Sequence, residues 1–209
     1  MSNESERLTE VIGMLKARAD ADKLSDAVDL LYSLKASRDK DAKRYADSQK
    51  LQDIGRSTFE SIAEMVAALE CDYDRLEELR REKSVFAEDH DPQYRWEDSD
   101  EAAELAELEE AAGDCESRED AERRISEDPL SIELEGKWSL GEEPTADKAY
   151  ILLGTGGPAT RIVCELDDNM EPHRAWIQAQ DWFLPWTDYV GGDSDTLLTY
   201  CRCFYFGEG

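Results

Sequence analysis

Apolar residues in the first part of the chain recur at helical spacing. Two groups flank the polar stretch ADADK at 19–23: Val11, Ile12 and Leu15 before it, and Leu24, Val28, Leu31 and Leu34 after it. An apolar position at every third or fourth residue places these side chains on one face of a helix. The pattern predicts two amphipathic helices, or one bent helix, followed over 37–54 by a weaker and more polar one.

The strongest helical signal begins at Ser57, where Ser57-x-x-Glu60 is typical of a capping box. A single apolar stripe then continues for more than five turns. Its members are Phe59, Ile62, Met65, Val66, Leu69, Tyr73, Leu76 and Leu79. We expect one long helix whose stripe packs within the chain's own core. The alternative is packing against a second copy of the chain to form a homodimer.

The middle of the chain combines a break in periodicity with acidic segments. Residues 86–96 contain a proline and no repeat, which indicates a linker. Residues 97–128 hold 15 acidic and three basic side chains. Gly113 can terminate one helix, and Ser117-x-x-Asp120 can begin another. We therefore expect two acidic helices joined by a turn.

After Pro129 the spacing of apolar residues changes from every third or fourth position to every second position. Five segments between turn residues are typical of strands: LSIELEGKW (130–138), KAYILLG (148–154), ATRIVCELD (159–167), HRAWIQAQDW (173–182) and TLLTYCRCFYF (196–206). The intervals leave no room for crossover helices, so an antiparallel meander is expected. The predicted fold class is α+β, with a helical region at 1–90, a linker and acidic helices at 91–128, and an antiparallel β domain at 129–209.

A glycine-rich turn, GTGGPATR at 154–161, directly follows the second predicted strand. Phosphate-binding loops place such glycines before a lysine and the first turn of a helix. This turn has no lysine, and an alternating strand follows it. We therefore expect a hairpin turn rather than a nucleotide site.

The segment QDWFLPWTDY at 180–189 concentrates four aromatic side chains around a proline: Trp182, Phe183, Trp186 and Tyr189. Aromatic residues gathered at a strand end can line a ligand pocket or fill the open end of a sheet. A pocket between these residues and the glycine-rich turn would favour a small ligand-binding or enzymatic module, which is the alternative function.

Other signals of catalysis or cofactor binding are weak. The five cysteines, at 71, 115, 164, 201 and 203, are odd in number and scattered, which indicates reduced thiols. Cys201 and Cys203 are expected in the core rather than on zinc. The two histidines have no partner that the sequence can place, and the carboxylates near 165–171 lack a calcium-binding spacing. We expect no catalytic residue, no cofactor and no metal site.

The net charge limits the partners of the protein. The chain has 51 acidic and 24 basic residues, a formal charge of -27, and its first 50 residues are neutral. The electrostatic field of this negative charge repels nucleic acid and anionic membranes and attracts basic protein surfaces. The sequence starts with no signal-peptide pattern and has no run of 18 apolar residues, so we expect a cytoplasmic location.

The acidic helices carry a dense array of carboxylates. Its members are Asp98, Asp100, Glu101, Glu104, Glu107, Glu109, Glu110, Glu119, Asp120 and Glu122. A helix rises about 1.5 Å per residue, so carboxylates at nearly every second position give a charge density comparable to the roughly one charge per 1.7 Å of duplex DNA. The array is either a solvated surface that keeps the protein soluble or a mimic of nucleic acid.

The C-terminal sequence ILLGTGGPATRIVCELDD, followed by QDWFLPWTDY and LLTYCRCFYFGEG, resembles a module of uncharacterised phage and plasmid proteins over residues 148–209. The resemblance implies a mobile-element setting and carries no catalytic residue. In composition the chain is similar to acidic anti-restriction and anti-CRISPR inhibitors. Together these features predict an anti-defence protein of the bacterial cytoplasm. It would bind a host nucleic-acid-handling complex, of the CRISPR–Cas or restriction type, through its acidic surface.

Overall fold

The fold combines five α-helices with a five-stranded sheet in the part of the chain that the structure, a computed structural model, describes: residues 9–10, 12–13, 21–88, 95–137 and 145–207. The helices are α1 (Ala21–Glu70), α2 (Tyr73–Glu88), α3 (Asp100–Ala112), α4 (Arg118–Glu127) and α5 (Ser194–Cys201), and a 3-10 turn spans Trp96–Asp98. The strands are β1 (Ser131–Lys137), β2 (Thr145–Gly154), β3 (Ala159–Leu166), β4 (Pro172–Gln180) and β5 (Thr187–Asp188).

The strands follow one another in the order β1-β2-β3-β4-β5, and each adjacent pair is antiparallel. The predicted α+β class and the C-terminal meander are therefore confirmed. Ile162 lies at the centre of the sheet, opposite Ile151 on one side and Ile177 on the other. Because residues directly opposite each other on paired strands lie on the same face of a sheet, these three isoleucines share one buried face.

The prediction of a strand over 196–206 is wrong, because this segment begins with helix α5. The carboxylate of Asp193 accepts a hydrogen bond from the backbone N–H of Thr196 at 2.9 Å and so caps the helix. Leu197, Leu198 and Cys201 then lie buried at helical spacing. A short apolar run fits either period, and the cap decides between them. The fifth strand is instead the two-residue Thr187–Asp188.

The capping box predicted at Ser57 is also wrong, because α1 continues through this position without interruption from Ala21 to Glu70. The break lies later, at residues 71–72. The Asp72 carboxylate accepts a hydrogen bond from the backbone N–H of Arg75 at 3.0 Å, so Asp72 begins α2. The predicted single stripe is thus divided between two helices. The helix predicted from Val11 to Leu15 falls mostly outside the described residues.

Gly55 lies inside α1 at a point of close packing. A Cβ added to this residue would lie 2.6 Å from Cβ of Tyr189. We expect Gly55→Ala to lower the melting temperature, although Ala is favoured over Gly within a helix by about 1 kcal/mol. The overlap outweighs that preference because a Cβ moves only with its backbone. A raised melting temperature in thermal unfolding would show that Tyr189 does not pack on this turn.

Ser57→Ala provides a matched substitution two residues away. Ser57 is exposed in the interior of α1, where Ala is the better helix former by about 0.5 kcal/mol. The variant should therefore unfold at a slightly higher temperature than the natural protein. If Ser57 capped a helix, the same change would cost about 1 kcal/mol, so a clear loss of stability would contradict the continuous helix.

The core of residues 51–209 lies between one face of the sheet and the helices. From α1 it contains Ile62, Met65, Val66, Ala68 and Leu69. Ala121 and Ile125 of α4 and Tyr200 of α5 complete the helical side. The α1 part of the predicted stripe therefore packs within the chain's own core, which is the first of the two alternatives. Buried there, these side chains are not available as the seam of a homodimer.

A second and smaller apolar cluster joins α2 to α3. Leu76 and Leu79 of α2 are buried against Leu105 and Ala112 of α3. The remaining members of the predicted stripe thus fix the position of the most acidic helix.

The chain divides into two compact units, Met1–Lys50 and Leu51–Gly209. The predicted boundaries at residues 90 and 128 fall inside the second unit, where the end of α1, α4 and the sheet share one core and α3 packs on α2. Residues 51–209 hold 41 acidic and 14 basic side chains. The whole net charge of the protein therefore belongs to the second unit.

Candidate acidic interface

Helix α3 carries the highest density of unbalanced charge in the candidate site. Its 13 residues include six carboxylates and no basic side chain, whereas α4 has four carboxylates and three arginines. The Ser99 side chain accepts a hydrogen bond from the backbone N–H of Ala102 at 3.1 Å and caps the start of α3. Gly113, with φ of 55°, closes its end. Both ends of the acidic helix are therefore defined by the local sequence.

Two arginines of α2 hold α3 by its own carboxylates. The Arg75 guanidinium binds Glu104 through two nitrogens, with Nε to Oε1 at 3.0 Å and Nη2 to Oε2 at 2.7 Å. Arg80 Nε lies 3.3 Å from Glu109 Oε1. The hydrogen bond from Arg75 lowers the pKa of Glu104, and its bonds to carboxylates raise the pKa of Arg75. A two-point arginine–carboxylate contact fixes direction as well as distance, so α3 is oriented on α2.

The ten predicted partner-binding residues fall into two groups. Four form ion pairs with arginines of the chain itself: Glu104, Glu109, Asp120 and Glu122. The other six are exposed and form no ion pair within the described part of the chain: Asp98, Asp100, Glu101, Glu107, Glu110 and Glu119. The candidate surface is therefore limited to these six exposed carboxylates.

The acids of α4 are balanced locally. Arg118 Nε lies 3.2 Å from Glu122, and Arg123 Nη2 lies 2.7 Å from Asp120. Asp120 also accepts the backbone N–H of Glu116, as part of the turn before the helix. Helix α4 therefore adds little unbalanced charge to the surface.

Asp100, Glu107 and Glu110 form the outward surface of α3, which we call the acidic α3 face. Asp100 and Glu107 are two turns apart and nearly in line, and Glu110 follows within about a quarter turn. Over the helix the four carboxylates without an arginine partner average about one per 5 Å of axis, wider than the roughly 3.4 Å per phosphate of a single DNA strand. A rigid anionic ridge of this spacing can meet several lysines and arginines of a partner at once.

Arg75 and Arg80, which position the candidate site, were not identified from the sequence. Each lies 29 residues from the carboxylate that it binds. Only charge pairs three or four residues apart on one helix can be recognised from local spacing. The one available signal was the arginine-rich composition of 75–81, which precedes the segment 96–117 without basic residues.

The glycine-rich turn and the Trp-rich segment do meet, but the contact fills the space between them. A Cβ at Gly157 would overlap the indole of Trp182, so the ring lies directly on the turn. Phe183 has φ of 63° and points fully into solvent. The backbone N–H of Leu184 donates to the Asp181 carbonyl at 2.8 Å and tightens this loop.

The other two aromatic residues of the segment have separate neighbours. Trp186 stacks on the guanidinium of Arg161 at 4.3 Å, and Tyr150 covers the same cation at 4.4 Å. Burial lowers the pKa of Arg161. Tyr189 packs on Gly55 and on the core, which is the sheet-filling role that the sequence offered as one alternative. Three of the four predicted pocket residues thus contact different partners, and Phe183 lies exposed beside Trp182.

The cysteines of the core are free thiols in the structure. Cys164 and Cys201 are both fully buried, and a hydrogen bond between the two thiols, together with burial, raises the pKa of Cys201 well above its ordinary value. Burial also raises the pKa of Cys203, which donates to the Thr199 carbonyl. Across the described residues, no group of three or more potential ligand side chains is arranged to hold a metal ion.

One carboxylate of the acidic turn after β3 has a structural use. Asp167 Oδ1 accepts the backbone N–H groups of Asn169 at 2.8 Å and Glu171 at 3.0 Å. These bonds lower the pKa of Asp167. The side chain therefore supports the turn between β3 and β4.

None of the helices described here has the length and apolar character needed to cross a membrane.

Helix α3 is fixed on α2 by two arginines, and its remaining exposed carboxylates are the most distinctive surface of the second unit. Comparison of the chain with protein-family models, with characterised proteins and with solved structures finds no match in any of the three.

Proposed function

We propose that this protein is an anti-defence protein of a phage or mobile element that binds a host nucleic-acid-handling complex, of the CRISPR–Cas or restriction type. The acidic α3 face occupies the basic surface on which that complex holds nucleic acid. The observation that carries the proposal is the helix with six carboxylates and no basic side chain, held in place by Arg75 and Arg80.

Rigidity is what separates this surface from an ordinary solvated acidic segment. A disordered acidic tail loses conformational entropy when it meets its partner, whereas a packed helix has already lost it on folding. The carboxylates of Glu104 and Glu109 anchor the helix, so Asp100, Glu107 and Glu110 remain outward. Attraction to lysines and arginines then contributes both to the rate of association and to orientation.

The charge of the second unit supports the same type of partner. All of the formal charge of -27 lies in residues 51–209, so the protein repels nucleic acid and attracts proteins that bind it. The resemblance of residues 148–209 to a module of phage and plasmid proteins supplies the biological setting of the proposal.

The proposal is tested by displacement of labelled duplex DNA from purified CRISPR–Cas effector complexes and restriction endonucleases, followed by fluorescence anisotropy. We expect the protein to displace DNA from at least one complex at about 50 mM salt, with an inhibition constant that rises steeply by about 200 mM. Failure to displace DNA from any member of the panel at low salt would contradict the proposal. Displacement that does not depend on salt would contradict the electrostatic mechanism.

A further inference from the structure

A cleft of about 620 Å³ opens beside the acidic α3 face, between the end of α2 and the start of α3. Its apolar part is formed by Val85, Phe86 and Trp96. The rings of Phe86 and Trp96 have centroids 5.9 Å apart and are inclined by 50°. The two rings therefore form an angled wall rather than a closed stack, and Val85, which is 58% exposed, lies open to solvent.

Trp96 is fixed within this wall. One part of the side chain packs on the apolar cluster of Leu76, Leu79 and Leu105. The hydroxyl of Ser99 donates to the Trp96 carbonyl at 2.8 Å and also caps α3. The residue that lines the cleft is thus tied to the same structure that orients the acidic helix.

The rim of the cleft is predominantly anionic. Glu78 and Glu82, which are both paired with Arg75, lie on it together with Glu101 and Arg81. Arg81 is directed to Glu77, with its Nη2 at 3.1 Å from Oε1. Glu101 is exposed and forms no ion pair with any residue that the structure describes. An apolar wall below an anionic rim complements a long side chain with an aliphatic stem and a cationic head.

We propose that this cleft receives an arginine side chain of the basic partner, an inference that rests on the proposed function. The stem lies against Val85 and Phe86, and the guanidinium faces the Trp96 ring and the Glu101 carboxylate. Arginine fits better than lysine because its planar group can stack on an aromatic ring while it donates two hydrogen bonds to a carboxylate. Glu101 is adjacent in sequence to Asp100, so the cleft and the acidic α3 face can bind one partner surface together.

The inference is tested with two peptides of equal charge, nona-arginine and nona-lysine, titrated into the full-length protein. We expect nona-arginine to bind about two- to fivefold more tightly and to shift the NMR signal of the Trp96 indole N–H. Glu101→Gln and Val85→Asn should both reduce this preference. Val85→Asn keeps the charge of the protein, so it should leave the affinity for nona-lysine nearly unchanged. Both side chains are exposed, so these variants are expected to fold.

Equal affinity for the two peptides, or a Trp96 signal that does not move, would overturn the arginine site. That failure is distinguishable from failure of the proposed function. DNA displacement without an arginine preference would leave the acidic α3 face as the binding surface and remove the cleft. An arginine preference with a shifted Trp96 signal but no DNA displacement would retain the cleft and remove the anti-defence proposal.

Discussion

Replacement of Asp100, Glu107 and Glu110 by lysine is expected to weaken DNA displacement by at least about 100-fold. The change converts three attractions to a basic surface into three repulsions, and like charges brought together at an interface cost several kcal/mol. The three side chains are exposed and form no ion pair within the described part of the chain, so the fold should remain intact. The inhibition constant is measured by fluorescence anisotropy, and circular dichroism checks the helix content.

A matched control separates the position of the charge from its amount. Glu60, Glu64 and Asp168 are also exposed, lie outside α3, and make no side-chain hydrogen bond in the described structure. Their replacement by lysine changes the net charge by the same six units. We expect this control to lose much less affinity. An equal loss in both variants would show that net charge alone, and not the acidic α3 face, attracts the partner.

Glu104 is excluded from the reversal because it holds α3 on α2 through Arg75. Its replacement would alter the orientation of the helix together with the charge, and the two effects could not be separated.

Removal of the Tyr200 side chain is expected to cause the largest loss of stability among the substitutions considered. Tyr200 is fully buried in α5, its ring lies 5.3 Å from that of Phe204, and its hydroxyl donates to Asp128 Oδ2 at 2.6 Å. This residue thus joins the last helix to the end of α4. Tyr200→Ala should lower the free energy of unfolding by about 3–5 kcal/mol, as for other buried aromatic rings. Urea denaturation measures the difference.

Tyr200→Phe separates the ring from the hydrogen bond. It leaves the cavity filled and removes only the donor to Asp128, so we expect a smaller loss of about 1–2 kcal/mol. A loss as large as that of Tyr200→Ala would mean that the hydroxyl, rather than the buried ring, provides the stability.

The same residue predicts how stability depends on alkaline pH. Burial, with the hydrogen bond to Asp128, raises the pKa of Tyr200 above its ordinary value of 10.0. The neutral hydroxyl of Tyr200 makes its full contribution to folding stability below about pH 10. This contribution is lost as the pH rises further, because Tyr200 ionises at a lower pH in the unfolded chain than in the folded protein. Burial also raises the pKa of Tyr73 to about 12, so Tyr200→Phe should reduce the alkaline loss without removing it.

The sheet and the boundaries of the acidic helices could be predicted because their signals are local. Alternation of apolar residues identified four of the five strands, including β3, where Ile162, Cys164 and Leu166 are buried in the core. Ser117 and Gly113 act as the cap and the terminator that their residue types indicate. In each case one short pattern is sufficient, and the tertiary structure agrees with it.

The errors arose where two local signals competed. Ser57-x-x-Glu60 resembles a helix start, but the backbone of α1 remains helical through it. The start of α2 is determined by Asp72, whose carboxylate bonds the backbone three residues later. Similarly, Asp193 begins a helix in a segment whose apolar residues also suited a strand.

The candidate site could be predicted only in part, because its geometry depends on contacts between residues that are far apart in sequence. Sequence density identified the carboxylates of α3 and α4 but not Arg75 and Arg80, which neutralise two of them from another helix. Nor could it show that Trp96, at the edge of the predicted linker, forms a cleft with Phe86. Both features require the packing of α2 on α3, which is set by Leu76 and Leu79.

The central claim is that α3 is a rigid support for its carboxylates in the free protein, and amide hydrogen exchange measures this most directly. For residues 104–112 we expect exchange at least about 100-fold slower than in an unstructured chain. Exchange of these amides at the rate of an unstructured peptide would contradict the account, because a helix that is not formed cannot present Asp100, Glu107 and Glu110 as one ridge.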